Sequence, residues 1–439
     1  MQQNETNPRK AAVQLLARAE DAYTNLLLEG ALDKIPPVSR AYVTRAVYGV
    51  TERRLTLDYL LSQHLRGRPD KLDRYVLAAL RLGLYEAFYM DGVPAHAAVN
   101  EAVSLVKNSK YRRAAPLTNA VLRAALRSGP EALLQGNDPE ALSIRYSCPQ
   151  WLVNSLTADY GAEDTLSILQ HSMVRPPVTI RVNTDKIDAD GLLKQLKDEG
   201  CTAAPHALFP QELLTLLGGV PTATTAFAEG LYFVQDAASL LCSKVVAEGN
   251  PAHVLDLCAA PGGKSFSVSL FSPAALVTAM DLHPYRVGLV EESAARLSLA
   301  GRITTAVGDA TIYNPAIGQF DAVLCDVPCS GFGTMSKKPD VRYKPQSEAD
   351  ALPPIQQAIL AVGAQHVKAG GRLIYATCTL RCAENDEIVS AFLAGHPDFS
   401  ACVPDWPMPV GSGGSHSMTL LPHTYDTDGF FIAGFVRNV

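Results

Sequence analysis

The sequence predicts an all-helical bundle, then a small α+β domain, then a doubly wound α/β domain with a mostly parallel sheet. From about residue 251, short apolar runs alternate with helical segments, as is typical of parallel strands buried on both faces. The first 130 residues show helical periodicity only, and the stretch between is mixed. At 439 residues the chain exceeds what one core supports. The predicted domains are 1–145, 146–250 and 251–439.

Helical periodicity and charge characterise the first domain. Apolar residues recur three and four positions apart, as in RYVLAALRLGLYEAFYM, and prolines separate the helices. Residues 1–145 carry 20 Lys+Arg against 15 Asp+Glu, a net charge of +5, whereas the remainder carries 18 against 29. This asymmetry favours contact of the first domain with phosphates, for example at KNSKYRR (107–113). A solvated helical surface explains any single basic cluster equally well.

The second domain mixes helix-like segments such as GLLKQLKDEG with β-branched runs such as VTIRVN, which contains Arg181. In the third, the runs HVLDLCA, ALVTAMD, ITTAVGDA, FDAVLCDVP and GRLIYATC predict strands. After GSGGSH (411–416), SMTLLP and DGFFIAGFV predict a terminal strand pair. Seven strands that end in a hairpin are typical of the class I, Rossmann-like methyltransferase domain.

A glycine-rich turn, VLDLCAAPGGKS (254–265), follows the first of these strands. Its glycines allow positive φ, and the next helix presents unpaired N–H groups to an anion. Asp281, Asp309 and Asp326 close the following strands, where doubly wound folds bind ligands. A helix N-cap explains any one acid, but the series predicts a ribose-containing ligand. S-adenosylmethionine fits better than NAD, because the spacing does not match the dehydrogenase fingerprint.

Two cysteines, Cys329 in CDVPCSG and Cys378 in YATCTL, follow neighbouring predicted strands and should open onto the same crevice. Carbon 5 of cytosine is too electron-poor to attack a sulfonium methyl, but a thiolate that adds at carbon 6 makes carbon 5 nucleophilic. A second thiol then serves as base or assists release of the adduct. Asp326 is a candidate to protonate or hydrogen-bond ring nitrogen 3. The residues themselves leave open which cysteine attacks.

The motifs APGGKS, DVPCSG and ATCTL followed by ENDEIV together resemble the RNA cytosine-C5 methyltransferases of the Sun/Fmu type. The resemblance implies that Cys378, in the TC[TS] motif, is the nucleophile, that Cys329 assists release, and that DGFFIA (428–433) forms the terminal strand. Val327, where the family often has alanine, is a mild departure that concerns the shape of the loop. The cofactor-binding residues that the resemblance implies are Cys258, Ala259, Ala260, Pro261, Gly262, Gly263, Lys264, Asp281, Asp309 and Asp326.

The segment LRLGLYEAFYMDGVPAHAAVNEAVSLVK, followed by LTNAVLR, resembles the NusB-type RNA-binding helical domain. With it, the resemblance covers nearly the whole chain and implies a bacterial methyltransferase that acts on 16S rRNA. The charged segment SKKPDVRYK (336–344) follows the Pro-Cys loop, where cations would hold phosphates around a base swung out of its stack. The RNA-binding candidates are Lys337, Lys338, Arg342, Lys344 and Arg181.

Composition indicates the cellular compartment and which partners and metals to expect. The polar start MQQNETNPRK and the absence of a long apolar run argue against a secretory signal and a membrane partner. Nine scattered cysteines favour a reducing cytoplasm. Cys242, Cys325 and Cys201 are predicted to be core residues. No histidine cluster joins Cys378 and Cys382, so no metal is expected. We expect a monomer.

Three alternatives remain open. The first is a C5-methyltransferase that acts on another RNA, such as tRNA. The second is an amino-group methyltransferase, whose chemistry favours a DPPY-like loop and has no use for a thiol. The third, outside enzymes, is a NusB-like RNA-binding or assembly protein with a vestigial methyltransferase domain. The acids of the predicted donor site and both cysteines argue against this last class.

Overall fold

The computed structural model describes residues 7–19, 24–130, 135–406 and 415–439. The chain forms two compact units. The helical unit comprises Met1–Val174 and Met335–Lys344, and the α/β unit comprises Arg175–Thr334 and Pro345–Val439. The division into three domains stays a prediction. Part of the glycine-rich segment GSGGSH (411–416) lies outside the described residues.

The helical unit confirms the predicted bundle. Its central helix is buried from Val76 to Glu86, and Asp73 begins it by accepting a hydrogen bond from the backbone N–H of Tyr75 at 2.9 Å. Within the described ranges its helices are α1 (Pro8–Arg18), α2 (Thr24–Leu32), α3 (Pro37–Glu52), α4 (Arg54–Ser62), α5 (Arg74–Tyr89), α6 (Ala95–Lys107), α7 (Ala115–Ser128), α8 (Pro139–Arg145) and α9 (Gln150–His171).

Residues 335–344, which follow the Pro-Cys loop in sequence, pack within the helical unit. Arg342 is completely buried there. Its guanidinium donates hydrogen bonds to the carbonyl oxygens of Tyr146 and Ser172, both at 3.0 Å. The prediction that Arg342 contacts RNA is therefore wrong, because the charge is enclosed by backbone acceptors. Lys338 is exposed, and Lys337 and Lys344 are half-buried.

A four-stranded antiparallel sheet opens the α/β unit. Its strands are β1 (Val178–Val182), β2 (Thr202–Pro205), β3 (Leu213–Gly218) and β4 (Tyr232–Val234), in the order β2-β3-β1-β4 with helices α10 (Ala189–Asp198) and α11 (Thr225–Ala228). Arg181, in β1, is 1% exposed and donates to the carbonyl oxygens of Val182 and Glu212 at 3.0 and 3.2 Å. Its predicted RNA contact is wrong for the same reason as that of Arg342.

The large sheet confirms the predicted doubly wound arrangement. Its strands are β5 (His253–Asp256), β6 (Leu276–Asp281), β7 (Ile303–Val307), β8 (Phe320–Asp326), β9 (Val367–Thr377), β10 (Phe399–Ala401), β11 (Ser417–Leu420) and β12 (Phe430–Arg437). The order is β10-β12-β9-β8-β5-β6-β7, with β11 also paired to β12. The first five strands are parallel, and β11 and β12 form the predicted antiparallel pair. The short edge strand β10 makes eight strands where seven were predicted.

Helices pack against this sheet. They are α12 (Ala237–Ala247), α13 (Gly263–Phe271), α14 (Pro284–Leu297), α15 (Gln346–Asp350), α16 (Leu352–Gln365), α17 (Asp386–Gly395) and α18 (Pro422–Tyr425). Because β5, β6, β8 and β9 run parallel, their carboxyl ends meet at the same edge. Among the described residues, no helix is both long and apolar enough to cross a membrane.

Candidate active site

The two predicted cysteines lie side by side. Cys378 directly follows β9, Cys329 lies three residues beyond β8, and their sulfur atoms are 3.3 Å apart. Both residues are half-buried. The hydrogen bond with Cys378, together with burial, raises the pKa of the Cys329 thiol well above its usual value. The pair therefore favours a proton on Cys329.

Close backbone packing fixes the loops that carry Cys329 and Cys378 against each other. The N–H of Gly333 donates to the carbonyl of Cys378 at 3.0 Å, and the N–H of Gly429 donates to the carbonyl of Gly333 at 2.8 Å. A Cβ atom on Gly333 would lie 1.8 Å from the carbonyl oxygen of Gly429. Only glycine at position 333 permits this approach, so the Pro-Cys loop, the Cys378 loop and the turn before β12 form one packed layer.

A buried polar cluster behind the cysteines was not foreseen from the sequence. Glu384 is completely buried, and its Oε2 accepts hydrogen bonds from the backbone N–H of Ser330 at 2.8 Å and from Gln356 Nε2 at 2.9 Å. Asn385 accepts from Thr377 Oγ1 at 2.6 Å and donates to the carbonyl of Thr379 at 3.1 Å. The ENDEIV segment contained this signal, because Glu and Asn are seldom buried unless they are paired, and this pair lies between β9 and α17.

Lys264 and Asp326 form an ion pair beside the sulfurs. Lys264 Nζ donates to Asp326 Oδ2 at 2.6 Å, and the two side chains are 13% and 26% exposed. Burial acts to lower the pKa of Lys264, but Asp326 outweighs it, and the net pKa is raised. Cys378 also contributes to this rise, so the lysine is a permanent cation close to that sulfur. Lys264 was predicted to bind the cofactor, and the structure directs its ammonium towards Asp326.

The glycine-rich turn is shaped as a ligand cradle. Gly262 begins α13 with φ 103°, and a Cβ atom there would lie 2.2 Å from the ring of Phe266. Gln235 Nε2 donates to the carbonyl of Gly263 at 2.9 Å and Gln235 Oε1 accepts from Ser267 Oγ at 2.6 Å, which fixes the first turn of α13. Gln235 is a second residue that the sequence reasoning missed. The remaining predicted positions 258–261 lie between β5 and α13 in the same turn.

The acids that follow the next strands lie at the same edge. Asp281, at the end of β6, is 3% exposed, and the guanidinium of Arg286 reaches it at 3.3 Å. Arg286 also donates to the carbonyl of Ala260 at 2.6 Å and so ties the acid to the glycine-rich turn. Asp309 is exposed two residues past β7, and hydrogen bonds from Thr311 lower its pKa. A glycine cradle followed by two strand-end acids fits the carboxylate, ribose and adenine of S-adenosylmethionine.

The other predicted thiols are packing residues. Cys201, Cys242 and Cys325 are buried, and burial raises the pKa of Cys242 and Cys325. Cys258 is half-buried in the cofactor turn, and its pKa is raised by burial. Within the described part of the chain, no group of three or more His, Cys, Asp or Glu residues is arranged to hold a metal ion.

Mild oxidation is expected to join the two sulfurs. From 3.3 Å, a shift of little more than 1 Å brings the atoms to the S–S bond length of about 2.05 Å. Diamide removes the two thiol hydrogens, is reduced to its hydrazine, and leaves one disulfide. Peptide mapping by mass spectrometry should find Cys329 linked to Cys378, with transfer activity lost and then restored by dithiothreitol. Loss of activity without this linked peptide would contradict the observed proximity.

Asp256, at the end of β5, is expected to make stability depend on pH. It is 2% exposed, and burial raises its pKa to about 7, whereas an unfolded Asp titrates near about 3.9. Below the unfolded pKa both states hold the proton, and the stabilisation is fully present. As the pH rises towards the folded pKa, the unfolded state ionises first, and stability falls by up to about 1.4 kcal/mol per pH unit.

Denaturant titrations of the wild type and Asp256→Asn, run between about pH 5 and 8, measure how the ionisation of Asp256 changes the free energy of unfolding. The free energy of unfolding of the wild type should fall relative to that of the variant as the pH rises towards about 7. Above that pH the difference between the two proteins should stay constant. Ser265 Oγ, which donates to Asp256 at 2.7 Å, can still donate to the amide oxygen of the variant. Parallel curves over the whole range would show that Asp256 does not titrate there.

Family models match three successive regions of the chain. The family model described as 16S rRNA methyltransferase RsmB/F matches residues 244–436, the NusB family model matches 6–127, and the RsmF/B-like ferredoxin-like domain model matches 148–222. The ferredoxin-like match spans the first three strands of the four-stranded sheet described above.

Whole-length relatives agree with these matches. The chain is 36% identical over 444 residues to the probable ribosomal RNA small subunit methyltransferase B of Bacillus subtilis (strain 168), covering 97% of this chain and 98% of that protein. It is 31% identical to ribosomal RNA small subunit methyltransferase B of Escherichia coli O1:K1 / APEC, covering 98% and 99%. The crystal structure of PH0851 matches with a TM-score of 0.82 at 25% identity, over 98% of this chain and 99% of that one. The chain belongs to the RsmB/F family of 16S rRNA methyltransferases, and S-adenosylmethionine is its cofactor.

Proposed function

We propose that this protein transfers a methyl group from S-adenosylmethionine to carbon 5 of a cytosine in 16S rRNA, through a covalent bond between Cys378 and carbon 6 of the base. The observation that carries the proposal is the 3.3 Å separation of Cys378 and Cys329 sulfurs at the carboxyl edge of the sheet. An amino-group transfer needs no thiol, whereas a pyrimidine carbon needs one thiolate to attack and one base to remove a proton.

Cys378 is proposed as the nucleophile because the proton of the pair is held on Cys329 and because the Lys264 cation lies near Cys378. A thiolate is stabilised by an adjacent cation and by a hydrogen bond from a neighbouring thiol. Its sulfur forms a bond to carbon 6, and the electron pair of the 5,6 double bond becomes available at carbon 5. The bound cofactor supplies an electrophilic methyl group on a sulfonium.

Asp326 is proposed to hydrogen-bond ring nitrogen 3 of the base in this adduct. Its carboxylate already has a fixed position, because Lys264 Nζ donates to Oδ2 at 2.6 Å. Ring nitrogen 3 and a carboxylate oxygen are both acceptors, so this hydrogen bond needs a proton between them. That proton offsets the negative charge that the ring gains when Cys378 attacks, which stabilises the adduct more than the free base and lowers the barrier.

Cys329 is proposed to complete the reaction. Once Cys378 is a neutral thioether, it no longer raises the pKa of Cys329 as a thiolate does, and Cys329 can lose its proton to solvent. This is the one proton that the overall reaction releases. The Cys329 thiolate then removes the proton from carbon 5, the 5,6 double bond forms again, and Cys378 leaves as a thiolate. Bonds and charges balance, because the methyl group replaces one proton and Cys329 carries that proton away.

The experiment is methyl transfer from labelled S-adenosylmethionine to 16S rRNA and, in parallel, to tRNA, both isolated from cells that lack this protein. Digestion to nucleosides and mass spectrometry should find 5-methylcytosine in 16S rRNA at one position. Label in a ring-nitrogen or exocyclic-amine product would contradict the thiol chemistry. Label confined to tRNA would retain the chemistry and replace the proposed substrate.

A further inference from the structure

We propose that Glu384 is the positioning residue of the two-thiol site: its buried carboxylate holds the Pro328–Ser330 loop so that the Cys329 sulfur lies against Cys378. This inference rests on the proposed function, since it concerns the same pair of sulfurs. Glu384 is the last residue of the 3₁₀ turn Cys382–Glu384, which begins five residues after the end of β9, and it is completely buried.

The carboxylate is connected to both neighbours of Cys329. Oε2 accepts from the backbone N–H of Ser330 at 2.8 Å, directly after the cysteine. It also accepts from Gln356 Nε2 at 2.9 Å, and the same Gln356 nitrogen donates to the carbonyl of Pro328 at 3.1 Å, directly before the cysteine. Two backbone groups on either side of Cys329 therefore depend on one carboxylate, and the loop has little freedom to carry the sulfur away.

The same residue is connected to the strand that carries Cys378. The hydroxyl of Tyr375, in β9, donates to the Glu384 carbonyl at 2.6 Å. The hydroxyls of Ser330 and Thr379 lie 2.6 Å apart and join the residues that directly follow each cysteine. Glu384 thus links the two loops whose tips are the two sulfurs, although its side chain touches neither the base nor the cofactor site.

The carboxylate is also the charged group best placed to influence the proton on Cys329. Its negative charge contributes to the raised pKa of Cys329, after the Cys378 hydrogen bond and burial. Arg381 Nη1 lies 3.5 Å from Oε1, and Arg381 Nη2 also donates to Asp350. The partners named here are two N–H donors on Oε2 and one cation near Oε1, an arrangement that favours a carboxylate over an amide.

Glu384→Gln tests the inference with nearly unchanged volume. Ser330 and Gln356 donate to the same oxygen, so an amide oxygen in that position keeps both hydrogen bonds but turns the NH2 group onto the Arg381 guanidinium. The opposite amide orientation loses both bonds, and either orientation disturbs the support of the loop. A displacement of the reacting sulfur by about 1 Å costs about a hundredfold in rate. We expect kcat to fall by about that factor, and KM for RNA and affinity for S-adenosylmethionine to stay within about twofold. The limb of the pH–rate profile on which the rate rises as Cys329 loses its proton should move to lower pH, because the Glu384 charge that raises this pKa is gone.

Two further variants separate positioning from general stability. Glu384→Asp keeps the charge and is expected to restore part of kcat. Asp350, whose side chain is 48% exposed, is the outer partner of Arg381. Asp350→Asn removes only this charge and is expected to retain wild-type kcat. If Glu384→Gln lowers the melting temperature while kcat per folded molecule and the pH profile match the wild type, Glu384 is a structural residue and the inference is overturned. If the wild type itself forms no 5-methylcytosine, the proposed function fails instead.

Discussion

Cys378→Ala is expected to abolish methyl transfer, by about 10⁴-fold or more, while S-adenosylmethionine binding is retained. The variant has no sulfur to add to carbon 6, so carbon 5 stays electron-poor and cannot accept a methyl group. The cofactor residues on β6 and in the glycine-rich turn are not altered, so cofactor affinity, measured by isothermal titration calorimetry, should stay within about twofold. Single-turnover transfer of labelled methyl to 16S rRNA measures the loss.

Cys402→Ala is the matched control, because Cys402 is also half-buried and follows β10, away from the sulfur pair in sequence and strand position. It should transfer methyl groups at the wild-type rate. Substantial transfer by Cys378→Ala would contradict its role as nucleophile. If Cys329→Ala lost the attack step instead, the two roles would be reversed.

Gly333→Ala is expected to be the most damaging single-methyl change at the site. The new Cβ atom would lie 1.8 Å from the carbonyl oxygen of Gly429, which is backbone and has no rotamer by which to move away. Either the Pro-Cys loop or the turn before β12 must shift, which costs about 1–3 kcal/mol of folding free energy. Because Gly333 also donates to the Cys378 carbonyl, a shift of about 1 Å reaches the sulfurs and should lower kcat by about a hundredfold.

Gly395→Ala provides the comparison. Gly395 is the last residue of α17, and a Cβ atom there would have no neighbour within 4 Å. Its melting temperature and kcat should match those of the wild type. Equal effects of the two substitutions, or a Gly333→Ala protein with normal stability and kcat, would show that the contact with Gly429 does not constrain the site.

The features that the sequence predicted well depend on local pattern and on one topological rule. Apolar runs that alternate with helical segments predict parallel strands, and parallel strands bring their carboxyl ends to one edge. From this rule alone, Cys329 and Cys378 were expected to be neighbours, and the structure places their sulfurs 3.3 Å apart. The acids Asp281 and Asp326 follow from the same rule, because each is the last residue of its strand.

The features that were missed depend on contacts between distant parts of the chain. A charge run such as SKKPDVRYK resembles a solvated loop, and nothing in it shows that Arg342 meets the carbonyls of Tyr146 and Ser172, about 170 to 200 residues earlier. Arg181 is an RNA-binding candidate in the sequence, but it is buried and its Nη1 donates to the backbone carbonyls of Val182 and Glu212. Glu384 was overlooked because its partners, Ser330 and Gln356, come from two other segments.

Accumulation of a covalent protein–RNA complex in Cys329→Ala is the most direct measurement of the division of labour between the two thiols. The variant is incubated with S-adenosylmethionine and 16S rRNA and resolved on a denaturing gel beside the wild type, Cys378→Ala and the double variant. We expect a slowly migrating, nuclease-sensitive band in Cys329→Ala alone, since attack by Cys378 proceeds and expulsion of its thiolate fails. A band that persists in the double variant, or that forms in Cys378→Ala and not in Cys329→Ala, would contradict it.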